Sequence, residues 1–196
     1  MSLLPPEQPQ SEPMGRVQLL AAMGITAVVL LLISRFWLLF DSVAPLPLTW
    51  QPNHLLYGLG LGGAIILAST LVYQVWPAYR RSANFYLSFV LNPLLVADLI
   101  WMGLLPGLSE ELLFRGVMLP ALGLNLNGII FSSLCFGVLH MSSLQQWPYV
   151  IWATAVGLSL GWAAVDTGNL LVPIVAHITA NLVSSLLWKI RQIRSA

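Results

Sequence analysis

The chain has 196 residues, of which 58% are hydrophobic and only 8% are charged, and its formal net charge is +1. A soluble domain has roughly 25% charged residues, so this composition excludes that class and indicates an integral membrane protein with one membrane domain. The near-zero net charge argues against nucleic acid as a partner. The single cysteine, Cys135, excludes an intrachain disulfide.

The first third of the chain contains a tail and two hydrophobic segments. Residues 1–16 are proline-rich and lack a long apolar run, so we predict a disordered tail without a signal peptide. Membrane helices are predicted at residues 17–40 and 55–76, and four glycines in the second should let a neighbouring helix approach closely. Residues 77–83 are predicted to form a basic loop, so that residues 17–85 make up an N-terminal pair of spans.

A third span is predicted at residues 86–105. The Pro-Gly pair at 106–107 is expected to break this helix. Ser109 would then cap a new helix whose first turn contains Glu110 and Glu111. Acids in a first turn suit the positive end of the helix dipole.

Three more apolar segments follow, at residues 128–141, 149–165 and 170–190, before a basic tail at 191–196. No strand alternation is present, so we predict an all-α polytopic bundle of about six to seven transmembrane or re-entrant helices. Basic residues near both termini and after the second span all favour the cytoplasmic side. That requires an even number of crossings, whereas the seven segments give an odd number. Either one segment is re-entrant or one basic cluster misleads.

Charged side chains inside the bilayer need partners, a cavity or a function. Glu111 and Arg115 are four residues apart and can pair on one helix face, whereas Glu110 points about 100° away. The acids and Arg115 taken alone would also fit a structural ion pair. Asp98 has no partner at helical spacing and is predicted to accept a hydrogen bond from another helix.

The remaining polar residues of the spans also have simple structural interpretations. A lone His140 or His177 can hydrogen-bond across a helix interface. Asn169 is predicted to be a turn residue, and His54 is placed in a loop with no role. The combination of two acids, two histidines and an amide on three helices is harder to explain in this way. A carboxylate and an imidazole can deprotonate a water, and an imidazole and an amide can donate to an oxyanion.

Three motifs occur in order on successive hydrophobic helices. They are Glu110-Glu111-x-x-x-Arg115, Phe136-x-x-x-His140 and His177-x-x-x-Asn181. In this the chain resembles the CPBP family of intramembrane proteases, which is named for CAAX proteases and bacteriocin-processing enzymes and is also called the Abi family. The resemblance covers about residues 87–187 and leaves the first two spans outside it.

The resemblance implies a catalytic domain at residues 86–190. Its catalytic set would be Glu110, Glu111, His140, His177 and Asn181. Glu110, assisted by His140, would activate the attacking water, while His177 and Asn181 would stabilise the tetrahedral oxyanion.

The resemblance also implies supporting residues and leaves the cofactor open. Arg115 would brace the site together with the second glutamate, and Phe136 would support it. Family members are described both as metalloproteases and as glutamate-dependent proteases. Glu110, His140 and His177 would make a reasonable His₂Glu zinc set, although no HExxH motif is present.

The function expected from these features is hydrolysis of a peptide bond in a membrane-associated substrate, with prenylated CAAX proteins among the candidates. The partners would be a membrane-delivered peptide and the lipid bilayer, and the location a cell membrane. One alternative is a catalytically silent member that serves as a membrane scaffold, chaperone or immunity protein. Another is a proton-coupled transporter with a relay of acids and histidines. The transporter is disfavoured because only one broken helix is predicted.

Overall fold

Residues 14–195 form eight α-helices in the computed structural model, which describes these residues. The helices are α1 (Arg16–Phe40), α2 (Pro52–Val75), α3 (Pro77–Leu91), α4 (Leu99–Glu111), α5 (Leu119–Leu122), α6 (Leu126–Leu139), α7 (Trp147–Thr167) and α8 (Leu171–Ser195). A π-helical segment, Leu112–Met118, joins α4 to α5. No strand occurs within the described range, so the all-α prediction is confirmed. The predicted tail lies, for residues 1–13, outside the described residues, as does residue 196.

The outer surface of the bundle is apolar. In α1, for example, Val28, Leu32 and Phe36 are all exposed. Helices α1, α2, α7 and α8 are long and apolar enough to cross a membrane, and the bent pair of α3 with the α4–α5 run would add a fifth candidate span. Such a surface is unfavourable in water and favourable in lipid. The chain is therefore an integral, multi-pass membrane protein.

The two termini of the described chain lie at the same end of the bundle. The guanidinium of Arg16, which begins α1, donates two hydrogen bonds of 2.7 Å to the carboxylate of Asp98 in the corner between α3 and α4. Lys189, near the end of α8, donates to the carbonyl oxygen of Asn92 in the same corner (3.4 Å). Asp98 is thus an interhelical acceptor, as predicted. We call this the basic end of the bundle; it carries Arg16, Arg80, Arg81, Lys189 and Arg191.

Backbone contacts define the opposite end. The loop at residues 41–51 joins α1 to α2, and within it the amide of Leu46 donates to the carbonyl oxygen of Gly116 in the π segment (2.9 Å). The amide of Leu170, in the turn between α7 and α8, donates to the carbonyl oxygen of Pro47 (2.9 Å). These contacts place the α1–α2 loop, the π segment and the α7–α8 turn together.

Helix α6 returns from this opposite end to the basic end. Ile129, in its first turn, packs in one buried cluster with Leu46. His140, which follows its last turn, has its ring centroid 6.1 Å from that of Tyr149 in the first turn of α7. The chain therefore runs away from the basic end in α1, α4–α5 and α7 and returns in α2, α6 and α8; of these, the 14-residue α6 is shorter than a candidate membrane span.

Helix α3 corrects two of the predictions. The segment 77–83 is helical and not a loop, and the span predicted at 86–105 is not continuous, because α3 ends at Leu91 and α4 begins at Leu99. The helix ends at Asn92-Pro93, because Pro93 lacks the N–H donor that would continue the helical hydrogen bonds. α3 is bent by 104° from the helices that follow and lies across the basic end.

The break predicted at 106–107 and the cap predicted at Ser109 are also wrong. Helix α4 continues through Pro106 as far as Glu111. The hydroxyl of Ser109 donates to the carbonyl oxygen of Leu105 (2.7 Å), as in the interior of a helix. Pro106 has no N–H, so the carbonyl of Met102 lacks its helical donor, but the packed bundle tolerates this loss.

Asn169 and His54 have larger roles than the sequence indicated. Asn169 is only 1% exposed, and its Oδ1 accepts hydrogen bonds from the amides of Thr49 and Leu171 (both 3.0 Å). Its Nδ2 donates to the carbonyl oxygen of Thr49 and to Nδ1 of His54 (both 2.8 Å). His54 lies in the first turn of α2, not in a loop. These bonds fasten the α1–α2 loop to the start of α8.

Candidate active site

A cavity of about 150 Å³ lies inside the bundle, between α2, α3, α4, α6, α7 and α8. We call it the central cavity. Its wall includes four polar side chains that the sequence singled out, namely Glu110, His140, His177 and Asn181. The structure therefore brings these side chains together, while their catalytic roles stay predictions.

Glu110 and His140 face each other across a gap. Oε2 of Glu110 lies 3.9 Å from Nε2 of His140, too far for a direct hydrogen bond. Nδ1 of His140 is 2.9 Å from the carbonyl oxygen of Phe136, which can only accept, so Nδ1 carries the proton and Nε2 of the neutral ring has the free lone pair. Oε2 of Glu110 is buried without a hydrogen-bond partner among residues 14–195. Both atoms can lie about 2.8 Å from one water oxygen, so the pair is arranged to hold a water.

Glu111 is bound on two sides. Oε1 of Glu111 accepts from Nη1 of Arg115 at 2.8 Å, and both side chains are fully buried, which confirms the predicted ion pair. The same oxygen accepts from Nδ1 of His177 at 2.7 Å. Nη2 of Arg115 donates to the carbonyl oxygen of Gly157 (2.9 Å). The carboxylate of Glu111 thus fixes the orientation and tautomer of the His177 ring, and Nε2 is the ring nitrogen that remains for the cavity.

Phe136 packs among the charged and imidazole groups of the site. Its side chain is 2% exposed, and Cζ of Arg115 lies 4.5 Å from its ring centroid, within cation–π range. The centroids of the His140 and His177 rings are 4.8 and 5.8 Å away. Phe114 contacts it edge to face at 5.4 Å. Phe136 therefore supports both histidines as well as the ion pair.

Three residues of the site carry no signal in the sequence. A side chain at Gly157 would place its Cβ 3.2 Å from Nη2 of Arg115 and 3.2 Å from the Phe136 ring, so these groups would have to move by a few tenths of an ångström to admit it. Tyr86 of α3 and Tyr149 of α7 stack with centroids 4.6 Å apart and line the cavity. Glycine and tyrosine in apolar helices are indistinguishable from packing residues until the fold is known.

The zinc set considered from the sequence stays a prediction. Nδ1 of His177 is bound to Glu111, which leaves its Nε2 for the cavity, while Oε2 of Glu110 and Nε2 of His140 are 3.9 Å apart. Within residues 14–195, no group of three His, Cys, Asp or Glu side chains is positioned to hold a metal ion.

The fold and site define a class: a polytopic membrane protein with acidic, imidazole and amide groups meeting inside its helical bundle. A family model described as type II CAAX prenyl endopeptidase Rce1-like matches residues 91–183, which include all three motifs. The uncharacterized protein YpbD of Bacillus subtilis (strain 168) is 30% identical over 138 residues, which cover 70% of this chain and 70% of that protein. No solved structure matches the chain. The chain belongs to the Rce1-like family within the CPBP family, which is a peptidase family, and the resemblance is confirmed.

Proposed function

We propose that this protein is an intramembrane endopeptidase that hydrolyses a peptide bond of a membrane-associated substrate. The observation that carries the proposal is the pair of Glu110 and His140, two acceptors set apart by the width of one water. A water held by both donates its hydrogens to them, which leaves an oxygen lone pair free to attack.

Hydrolysis proceeds in two steps, in which Glu110 first accepts a proton and then donates it. The water oxygen bonds to the carbonyl carbon of the substrate while Glu110 accepts the proton, which gives a tetrahedral oxyanion. The carbon–nitrogen bond then breaks, and the proton passes from Glu110 to the leaving amine. His140 accepts a hydrogen bond from the water through Nε2 and orients it.

His177 and Asn181 are one helical turn apart on α8 and supply donors for the oxyanion. With Nδ1 bound to Glu111, a protonated His177 offers Nε2–H to the cavity. Asn181 offers its amide N–H. Hydrogen-bond donors that are already in position stabilise the transition state most strongly in a buried site, because the dielectric is low there.

The family name suggests a substrate class. We infer that the peptide is carried by a lipid-modified protein of the CAAX type, so that the bilayer delivers it to the cavity. An S-farnesyl-cysteine peptide with a three-residue apolar tail, reconstituted with the protein in lipid nanodiscs, is a suitable first probe.

The test compares wild type with Glu110→Gln, which keeps the shape of the side chain and removes the base. Cleavage, followed by mass spectrometry, should fall by about 10²–10⁴-fold while peptide binding survives. Asp166→Asn is the matched control, because Asp166 is an exposed acid near the end of α7 and should be replaceable without effect.

Two outcomes would count against the proposal. Cleavage by Glu110→Gln at the wild-type rate would place the base elsewhere, with Glu111 the next candidate. Binding of the peptide by wild type with no cleavage under any condition would favour the scaffold alternative.

A further inference from the structure

A second cavity, of about 290 Å³, lies at the basic end of the bundle, between the first half of α3 and the connection from α6 to α7. Its volume is close to the lower limit of small-molecule pockets, about 300 Å³. None of the residues that line it also lines the central cavity, so the two cavities are separate. We call it the interfacial pocket.

The interfacial pocket contains a cation that no carboxylate balances. Arg81 lines the pocket and is exposed, and no hydrogen bond, ion pair or cation–π contact within residues 14–195 involves it. No Asp or Glu of the described residues lines the pocket. The neighbouring Arg80 is already engaged, because its Nη1 donates to the carbonyl oxygens of Tyr73 and Gln74 at the end of α2 (3.5 and 3.4 Å). Arg81 is therefore the guanidinium that can bind an anionic ligand here.

Side-chain amides add neutral donors beside this cation. Oε1 of Gln146 accepts a hydrogen bond from the hydroxyl of Ser82, which leaves Nε2 of Gln146 without a partner within residues 14–195. Ser82 is only 3% exposed, so this bond fastens α3 firmly to the α6–α7 connection. Gln145 also lines the pocket. A guanidinium next to amide N–H groups suits an anion with several acceptor oxygens, such as a phosphate diester.

The surroundings of the pocket favour a lipid over a free anion. Phe85 lies one helical turn after Arg81 on α3, and Leu144 directly precedes Gln145; both are exposed. Trp147, which lines the pocket and is also exposed, has the amphipathic ring that is typical of the boundary between headgroups and acyl chains. A free phosphate would leave these apolar groups uncovered, whereas a phospholipid covers them with its chains.

We propose that the interfacial pocket binds the headgroup of an anionic phospholipid, with its phosphate on Arg81 and its acyl chains against Phe85 and Leu144. A zwitterionic headgroup binds less well, because its ammonium group would approach the guanidinium. The site does not depend on the proposed peptidase reaction.

The proposed lipid would bridge two elements that also form the wall of the central cavity. It would contact α3 through Arg81 and the start of α7 through Trp147. Between the same two helices, the rings of Tyr79 and Tyr149 stack with centroids 6.3 Å apart, and both line the central cavity. The bound lipid should therefore stabilise the folded bundle next to the candidate active site.

Native mass spectrometry of the protein in a neutral detergent measures the binding directly, with phosphatidylglycerol and phosphatidylcholine as the two probes. Wild type should bind the first about tenfold more tightly, the order expected for one hydrogen-bonded charge at a membrane surface. Arg81→Gln should lose most of this preference, and Arg81→Lys should keep part of it. Arg194→Gln is the matched control, because Arg194 is an exposed arginine of the same end that does not line the pocket.

Three results would overturn the proposal. Wild type could bind both lipids equally. Arg81→Gln and Arg194→Gln could lose the same fraction of the preference, which would indicate a diffuse attraction to the whole basic end. Glycerol 1-phosphate, which has the phosphate but no acyl chains, could displace phosphatidylglycerol as effectively as the whole lipid does. The last result would assign the pocket to a soluble phosphate compound.

Thermal stability in nanodiscs gives a second, independent measurement. A ligand that binds only the folded protein raises its Tm. Wild type and Arg194→Gln should therefore have a higher Tm in phosphatidylglycerol than in phosphatidylcholine nanodiscs, and this difference should be smaller in Arg81→Gln. An equal difference in all three proteins would place the stabilising lipid elsewhere and contradict the proposed site.

Discussion

At the scale of single residues, one carboxylate oxygen binds two of the other side chains of the site. Oε1 of Glu111 accepts from Arg115 at 2.8 Å and from His177 at 2.7 Å. Charged groups as deeply buried as these are tolerated only when they are paired and hydrogen-bonded. The ion pair therefore serves two purposes, since it neutralises the buried charges and it holds an imidazole of the proposed oxyanion site in one orientation.

Replacing Arg115 by Leu should destabilise the protein strongly. Glu111 would lose its cation in a site where both partners are fully buried, at a cost of about 3–5 kcal/mol. Thermal unfolding in detergent would show this as a large fall in Tm or as poor expression. Arg16→Leu is the comparison, because the Arg16 side chain is 46% exposed and its loss should cost much less. Wild-type stability of Arg115→Leu would show that the pair is solvated and does not brace the site.

Asn181→Ala should separate oxyanion binding from substrate binding. The amide is proposed to donate mainly in the transition state, so kcat should fall by about 10²–10³-fold with little change in KM. Steady-state kinetics on the farnesylated peptide measures both. Asn127→Ala, which removes an exposed amide in the first turn of α6, serves as the control. A raised KM with unchanged kcat would mean that Asn181 holds the substrate instead.

At the scale of helices, α2 and α8 are held together by two of the four glycines. Gly58 and Gly62 are one turn apart and face α8, where a Cβ on Gly62 would lie 2.8 Å from Cβ of Thr179 and 2.9 Å from the carbonyl oxygen of Ala176. A Cβ on Gly60 would meet nothing within 4 Å. Close approach through small residues one turn apart is a common way to pack helices in lipid.

Gly62→Leu should therefore disrupt the bundle, whereas Gly60→Leu should not. The larger side chain at Gly62 would clash with α8 and cost at least the 1–3 kcal/mol that is typical of overpacking. At Gly60 the leucine would project away from the bundle and gain some helix propensity. The two variants lie two positions apart on α2 and carry the same substitution, so their Tm values compare directly. Equal losses in both would contradict the close packing at Gly62.

The junction of α4 with the π segment is also decided at this scale. Helix α4 passes through Pro106, and π-helical backbone begins directly after Glu111. π-helical turns in proteins often occur at functional sites, where they shift side chains relative to a regular helix. Arg115 lies in the π segment and Glu111 is the last residue of α4, so their ion pair spans the change in backbone geometry.

At the scale of the whole molecule, the chain makes six alternating runs between the two ends of the bundle, the even number that the predicted sidedness requires, although only four or five of them are candidate spans. The predicted third span and the helix predicted to begin at Ser109 form a single run, because the first part of that span belongs to α3, which lies across the basic end. Both ends of the described chain and α3 then lie on one side. The positive-inside rule predicts that this side faces the cytoplasm.

Cysteine labelling in cells tests this arrangement. In a Cys135→Ser background, Ser42→Cys in the α1–α2 loop should react with a membrane-impermeant maleimide added outside, and Arg81→Cys on α3 should react only after the membrane is opened. Both positions are exposed. Reaction of both, or only of the cysteine at position 81, from outside would contradict the topology.

The sequence by itself determined that the chain lies in a membrane and which residues meet at the site. Composition alone requires a membrane, and the pairing of Glu111 with Arg115 and the separate direction of Glu110 follow from helical spacing, because both are local properties. Only the tertiary structure decided the partners of these groups. The bonds from His177 to Glu111, from Arg16 to Asp98 and from Asn169 to Thr49 join residues 66, 82 and 120 positions apart. No periodicity in the sequence can specify such contacts, because they depend on which helices pack together and at which height.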